Sequence, residues 1–207
     1  MIRVFTLSQI YANGLAYDFF RILLAPHIQR IGAVPSEPVE LLVAVAVDEA
    51  DPRVVVGFVL YSPVPTHPEA CGINYMAVIN SHRRRGIGRA MIKELISRYP
   101  HTELTCTVKT VPFYESLGFQ VLDVHNTQVV MNTRSASTTG MMAIIDVTTI
   151  YESQEASEIH KRLVQRWGIR EMLRAEKQLE RHVAQLQRQA RAFVDARMKV
   201  NEMSSGS

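Results

Sequence analysis

Apolar residues recur along this chain in two different rhythms. Short β-branched runs predict strands at residues 2–5, 41–47, 54–61, 73–78 and 104–108, with a closing hairpin at 119–124 and 127–131. Between them the spacing turns helical. Thr6-x-x-Gln9 reads as a capping box, and apolar positions through Leu15, Phe19, Ile22, Leu23, Ile28 and Ile31 suit one or two helices ending near Gly32. An amphipathic stretch runs from Ala90 to about Arg98 before Pro100, and 112–117 forms a short helix closed by Gly118. An Asp/Glu-rich turn at 48–52 joins two strands, and Pro63, Pro65 and Pro68 mark a loop. The predicted order is β-α-α-β-β-β-α-β-α-β-β.

The pattern changes after residue 131. Residues 132–140 are small and polar, as in a linker. Residues 141–150 are apolar and short, a strand or a docking segment. A long helical pattern follows, with Thr149-x-x-Glu152 as its cap and Gly168 as a weak point. Met172, Leu179, Leu186, Phe193 and Val200 recur every seven residues, with Glu176, Val183, Ala190 and Arg197 between them. Two readings stay open: a helix folded back on its own domain, or self-association or partner attachment through residues 150–203. The stretch after Gly168 would span about 48 Å at 1.5 Å per residue. The expected division is a domain at 1–131, a linker at 132–140 and a helical extension at 141–207.

With 207 residues, 47% of them hydrophobic, the chain can bury a full core. No apolar run reaches the ~20 residues of a membrane span, and charge at Arg3 argues against a signal peptide. Cys71 and Cys106 fall on predicted strands and suggest small core residues, no disulfide framework and no metal site. A cytoplasmic setting is expected. Residues 1–150 carry 12 basic and 12 acidic side chains, while 151–207 carry 11 and 8, so the extension supplies the whole net charge of +3. A neutral domain argues against nucleic acid as a partner.

The most informative chemistry lies where the strand 73–78 meets a helix. Arg83-x-x-Gly86-x-Gly88 sits at the junction, where glycine backbone and free helix-terminal N–H groups form an anion nest. Arg83, Arg84, Arg85 and Arg89 surround it with positive charge. Read plainly, it is also a tight strand–helix turn with solvated arginines. A Walker loop would need Gly-Lys-Ser/Thr where Arg89-Ala90 stands, and a dinucleotide fingerprint would need glycine at Met91.

Downstream, Phe113-Tyr114-Glu115-Ser116-Leu117-Gly118-Phe119 completes a pair of motifs. Ala77-Val78, the Arg-x-x-Gly-x-Gly turn and this segment, in that order and spacing, resemble the GCN5-related N-acetyltransferase (GNAT) superfamily over about residues 1–131. The resemblance implies an α/β (α+β) fold, with a mixed, mostly antiparallel sheet flanked by helices, and the C-terminal helical extension lies outside it. It implies transfer of an acetyl group from acetyl-CoA to a primary amine of a small molecule or a protein, by direct attack and without a metal. Acetyl-CoA would lie where two strands splay, against Met76, Ala77 and Val78, with its pyrophosphate on Arg83, Arg84, Arg85, Gly86, Ile87, Gly88 and Arg89. An N–H near Ala77 or Val78 would polarise the thioester, and Tyr114 would donate a proton to the departing thiolate. Its alternative role is packing its helix on the sheet.

The chain departs from the family pattern in three places. Histone-type relatives carry Glu where Gly72 stands, which leaves Glu69, Asn74 through a water, His101 and His125 as candidate proton acceptors. Asn80 replaces a frequent Pro, and Arg84 a frequent Gly. The acceptor would meet residues 14–35 and 62–71, where Asp18 and Glu69 could attract a cation; Glu115 reads as helix surface. The competing expectation is a GNAT-fold assembly subunit, in a virion or another multi-protein complex, attached through its C-terminal helix. Acylation of charged tRNA, a third possibility, fits the neutral domain poorly.

Overall fold

The computed structural model describes residues 31, 36, 38–46, 54–141 and 152–205. The strand expected at 2–5, the helices expected between Thr6 and Gly32, and the segment 142–150 lie outside the described residues. Six strands form one sheet: β1 (Glu40–Ala46), β2 (Val54–Val64), β3 (His67–Val78), β4 (His101–Cys106), β5 (Gln120–His125) and β6 (Gln128–Asn132). Their spatial order is β1-β2-β3-β4-β6-β5. Only β3 and β4 run parallel; the other pairs are antiparallel. The sheet is mixed and mostly antiparallel, as expected.

Of the three prolines expected to mark a loop, Pro65 lies in a tight turn, while Pro63 and Pro68 lie on strands. β2 and β3 continue past the predicted ends into a hairpin closed by Pro65 and Thr66, with Val64 opposite His67. Pro63 lies beyond the last β1 pair, Glu40 with Tyr61, and Pro68 lies before the first β4 pair at Ala70. Among the described residues, Pro63 and Pro68 sit where their strands lack a second neighbour, so a missing N–H disrupts little.

Helix α1 (Ile87–Arg98) lays Met91, Ile92 and Leu95 on one sheet face and stops at Tyr99, before Pro100. Helix α2 (Val111–Glu115) follows a 3-10 turn at Val108–Thr110. Strand alternation sorts the two faces. Val59 and Tyr61, Cys71 and Ile73, Leu104 and Cys106, and Val129 and Met131 join the helices in the main core. Leu60 and Tyr75 point to the opposite face and pack with Val39. Both cysteines are buried and free, as their strand positions suggested.

After Asn132 the chain follows the sheet end. Thr133 N donates to Thr102 O at 3.0 Å, Thr102 N donates to the Thr133 hydroxyl at 2.9 Å, and His101 Nε2 lies 3.0 Å from Ala136 O. Gly140 reaches the β2–β3 hairpin, where Val64, Thr66 and His67 leave no room for a Cβ.

Helix α3 (Gln154–Trp167) is capped by Ser153, whose hydroxyl accepts from Ala156 N, in place of the expected Thr149 cap. Gly168, at φ 80°, breaks the helical run, and α4 (Ile169–Ser205) continues for 37 residues. The distal half of α4 folds back on the domain: Ala190 and Val194 are 0% and 3% exposed, and Val194 joins the main core. Its first turns do not, and Ile169, Leu173 and Leu179 stand exposed with Trp167. Among the described residues, no helix is long and apolar enough to cross a membrane.

Candidate active site

The site begins where two strands part. β3 pairs with β4 through Ala70, Cys71 and Gly72, opposite His101, Thr102 and Glu103. Beyond Gly72, β3 continues to Val78 on β2 alone. The register supplies a reason. Leu60 pairs with Tyr75 but Tyr61 pairs with Ile73, so Asn74 is an extra residue in β3. Such a bulge bends its strand and re-aims the backbone. From the bulge to Val78, the β4-side edge of β3 has no partner strand among the described residues. Met76, Ala77 and Val78 all lie on this edge.

At the end of β3 the chain turns into α1. Ile79 N donates to Val56 O at 2.9 Å, a 3-10 turn covers Asn80–His82, and Arg83 Nε donates to Val78 O at 2.9 Å. Gly86 takes φ 82° as the helix N-cap, and Ala90 N makes the first helical bond, to Gly86 O. The N–H groups of Ile87, Gly88 and Arg89 precede that bond. No side chain caps them and no acidic residue stands in the first turn. Preorganised N–H groups and the positive helix end are the features that suit an anion.

The two glycines serve different needs. Gly86 supplies the left-handed conformation, with nothing within 4 Å of a built Cβ. A Cβ on Gly88 would meet Phe113 Cζ at 3.7 Å, with Met76 Cε and Val78 Cγ2 at 3.9 Å. The protein itself would tolerate that carbon, which would instead fill the crevice between α1, α2 and β3. Arg84 also adopts positive φ, 61°. The frequent glycine of the resembling pattern thus falls on a left-handed position.

The four arginines are not equivalent. Arg83 braces the turn through Val78 O. Arg89 reaches α2, with Nη1 donating to Ser116 O at 3.2 Å and Nη2 to Ser116 Oγ at 2.8 Å. Arg84 and Arg85 are exposed beside the nest.

Tyr114 lies on α2 in the main core, next to Phe113, the residue that faces Gly88 across the crevice. It is 1% exposed and held edge-on by Phe113 and Phe119, with ring centroids at 5.0 and 5.5 Å. Among the described residues, its buried hydroxyl has no hydrogen-bond partner. Burial, reinforced by the nearby Cys106, raises its pKa well above the ordinary phenol value. Burial likewise pushes Cys71 up to about 12 and Cys106 up to about 11. Both thiols stay protonated at neutral pH, which makes them poor nucleophiles.

Behind the splay, the face opposite the main core carries a polar band. Asn74 Nδ2 donates to Ser62 Oγ at 2.7 Å, Asn132 Nδ2 to Glu103 Oε2 at 3.0 Å, and Thr105 Oγ1 to Gln128 Oε1 at 2.6 Å. Glu103 stands directly opposite Gly72 in the last parallel pair, so a carboxylate absent from β3 is offered by β4. Sequence reasoning missed Glu103. Its local signal was the alternation His101-x-Glu103-x-Thr105, but its place beside Gly72 depends on strand pairing. The other candidate proton acceptors lie apart. Glu69 is exposed near the β2–β3 turn, His101 is engaged at the sheet end, and His125 is exposed at the β5–β6 turn. Asn74 is at the bulge itself. Asp18 lies outside the described residues. Among the described residues, no three His, Cys, Asp or Glu side chains are grouped as a metal site requires.

Residues 40–121 match the family model described as an acetyltransferase (GNAT) domain. No curated protein matches the chain. Among solved structures, nourseothricin acetyltransferase is 19% identical at a TM-score of 0.40, over 47% of this chain and 65% of that one, so the chain spans just under two thirds of its length. The PaiA N-acetyltransferase of Thermoplasma acidophilum, in complex with coenzyme A, is 16% identical at a TM-score of 0.48, over 62% of this chain and 83% of that one. Naa20 of Chaetomium thermophilum, in complex with a bisubstrate analogue, is 20% identical at a TM-score of 0.38, over 53% of this chain and 71% of that one.

Proposed function

We propose, from the match of residues 40–121 to the acetyltransferase (GNAT) domain model, that the chain transfers an acetyl group from acetyl-CoA to a primary amine by direct attack. The observation that carries this reading is the parting of β3 from β4 after three residue pairs, with the glycine turn at the far end of the freed strand. The open edge at Met76, Ala77 and Val78 suits an extended amide-bearing arm, which pairs with strand backbone as another strand would. The N–H groups of Ile87, Gly88 and Arg89, with Arg84 and Arg85 beside them, suit a pyrophosphate.

The chemistry follows from the two sides of the cleft. The amine approaches from the polar band, and Glu103, directly or through a water, takes the proton that an ammonium must lose before it attacks. The nitrogen adds to the thioester carbonyl, and a backbone N–H near Ala77 or Val78 supports the developing oxyanion. The C–S bond breaks as Tyr114 donates to the departing sulfur, and the surplus proton on the new amide nitrogen passes through water to the phenolate, which releases a neutral amide and a free thiol and restores Tyr114. The phenol is protonated at neutral pH, and burial, which raises its pKa, makes it a weaker acid until the departing thiolate draws the proton. The protonated state of Cys71 and Cys106 argues against an acyl-cysteine intermediate and favours the one-step route.

Kinetics of Tyr114→Phe test the reading. Turnover should fall about 100-fold or more, in the range of a lost general acid, while acetyl-CoA affinity stays within twofold. An unchanged rate removes Tyr114 from the mechanism.

A second reading concerns attachment. Trp167, Ile169, Leu173 and Leu179 are 54%, 56%, 51% and 61% exposed at the elbow and first turns of α4. Trp is seldom left exposed and is enriched in binding hot spots. This end of the heptad stripe suits a second copy or a partner helix, as an assembly role would need. Sedimentation of the full chain against Leu179→Glu decides it: equal monomeric behaviour with no recovered partner would end that reading.

A further inference from the structure

We propose that the C-terminal helix α4 is a positioning element of the acetyl-transfer site, and that Arg197 acts through Glu115 to hold the short helix that carries Tyr114. The inference rests on the role of Tyr114 stated above, and it adds a residue that no part of the glycine-turn motif pair contains.

Helix α2 has five residues and no side-chain N-cap, so its own hydrogen bonds cannot fix it. It is held from outside at several points. On the α1 side, Arg89 grips the carbonyl and hydroxyl of Ser116, immediately after the helix. On the α4 side, Arg197 Nη2 lies 3.3 Å from Glu115 Oε1 and 3.4 Å from Oε2, so both carboxylate oxygens face one guanidinium. That guanidinium also stacks over Phe193, 5.4 Å from the ring centroid, which restrains its rotamer. Helix α4 also contacts the 3-10 turn Val108–Thr110 that leads into α2, and Val194 packs in the same buried cluster as Val111 and Tyr114. The segment bearing Tyr114 is therefore bracketed by α4 at its start and at its end.

This bracketing matters because nothing polar fixes the Tyr114 ring. Among the described residues its hydroxyl has no hydrogen bond, so apolar packing in the main core, the edges of Phe113 and Phe119 and the placement of α2 aim it. Glu115 follows Tyr114 directly, so a shift at Glu115 moves the phenol. Small misplacements of a reacting group are costly in rate, whereas a partly exposed ion pair contributes little to global stability. A positioning role therefore separates from a structural one.

The test uses the full chain with Arg197→Ala, Arg197→Lys, Arg197→Glu and the reversal Arg197→Glu with Glu115→Arg. Arg197→Ala and Arg197→Glu should lower kcat roughly 10-fold while the KM for acetyl-CoA stays within about twofold, the split expected of misaimed chemistry. Arg197→Lys should keep most of the rate, and the reversal should recover most of it. An unchanged kcat, an equal loss of acetyl-CoA affinity, a collapsed fold or no recovery on reversal overturns the proposal. Carbon-13 NMR of the Tyr114 ring provides a readout independent of turnover. Its resonance should move in Arg197→Ala and return in the reversal, and a resonance unmoved by Arg197→Ala overturns the proposal even if the wild-type chain acetylates nothing.

Discussion

Tyr114 keeps a hydroxyl in a place that gives it no partner among the described residues. A buried polar group without a hydrogen bond costs about 1–3 kcal/mol. Tyr114→Phe should therefore raise unfolding stability by about 1 kcal/mol in a denaturant titration while turnover falls. A stability loss would mean that the hydroxyl is satisfied in solution. Arg84 presents a similar conflict between local cost and site. Its φ of 61° is a conformation that glycine adopts without penalty. Arg84→Gly should leave the fold equally stable or up to about 1 kcal/mol more stable, and weaken acetyl-CoA binding by removing a charge beside the nest. Tighter binding would contradict the charge assignment. The placement of Tyr114 on a short helix and of the glycines at the strand–helix turn was legible in the sequence because their spacing is local. Glu103 was not, because its position opposite Gly72 is set by pairing between strands some thirty residues apart.

At the scale of elements, strand alternation and helix punctuation carried most of the reading. Gly168 does break the C-terminal helix, and Gly118, at φ 91°, follows the short helix that bears Tyr114. Pro65 does lie in a turn, but Pro63 and Pro68 misled, because a proline on a one-sided strand edge and one in a loop leave the same mark in sequence. The heptad stripe was ambiguous for a physical reason: a helix covering a sheet and a helix covering another helix need the same apolar spacing. The structure divides the stripe. Val194→Ala, in the packed half, should cost about 1–3 kcal/mol in thermal unfolding. Leu179→Glu, on the exposed half, should stay within about 0.5 kcal/mol of the parent. Equal effects would contradict the division.

For the whole molecule, the buried thiols set an alkaline limit. Folding raises the pKa of Cys71 from 9.0 to about 12 and that of Cys106 from 9.0 to about 11, so both are neutral in the fold at pH values where the unfolded chain has ionised them. Their contribution is complete below about pH 9 and is lost as pH rises toward the folded values. Stability should be flat with respect to these groups near neutrality, then fall by roughly 1.4 kcal/mol per pH unit per thiol between about pH 9 and 11. Urea titrations across that range check it, and Cys106→Ala should reduce the slope. Tyr114, raised by burial, extends the loss above pH 10.

All of these readings depend on one cleft. Isothermal titration of the full chain with acetyl-CoA tests it most directly, with Gly88→Val as the control that fills the crevice beside Phe113, Met76 and Val78. One-to-one binding at tens of micromolar or tighter (about −6 kcal/mol or better), lost in Gly88→Val, is the predicted result. No binding at tens of micromolar, or equal binding by the variant, would contradict the assignment of the parted strands and glycine turn as the acetyl-CoA site.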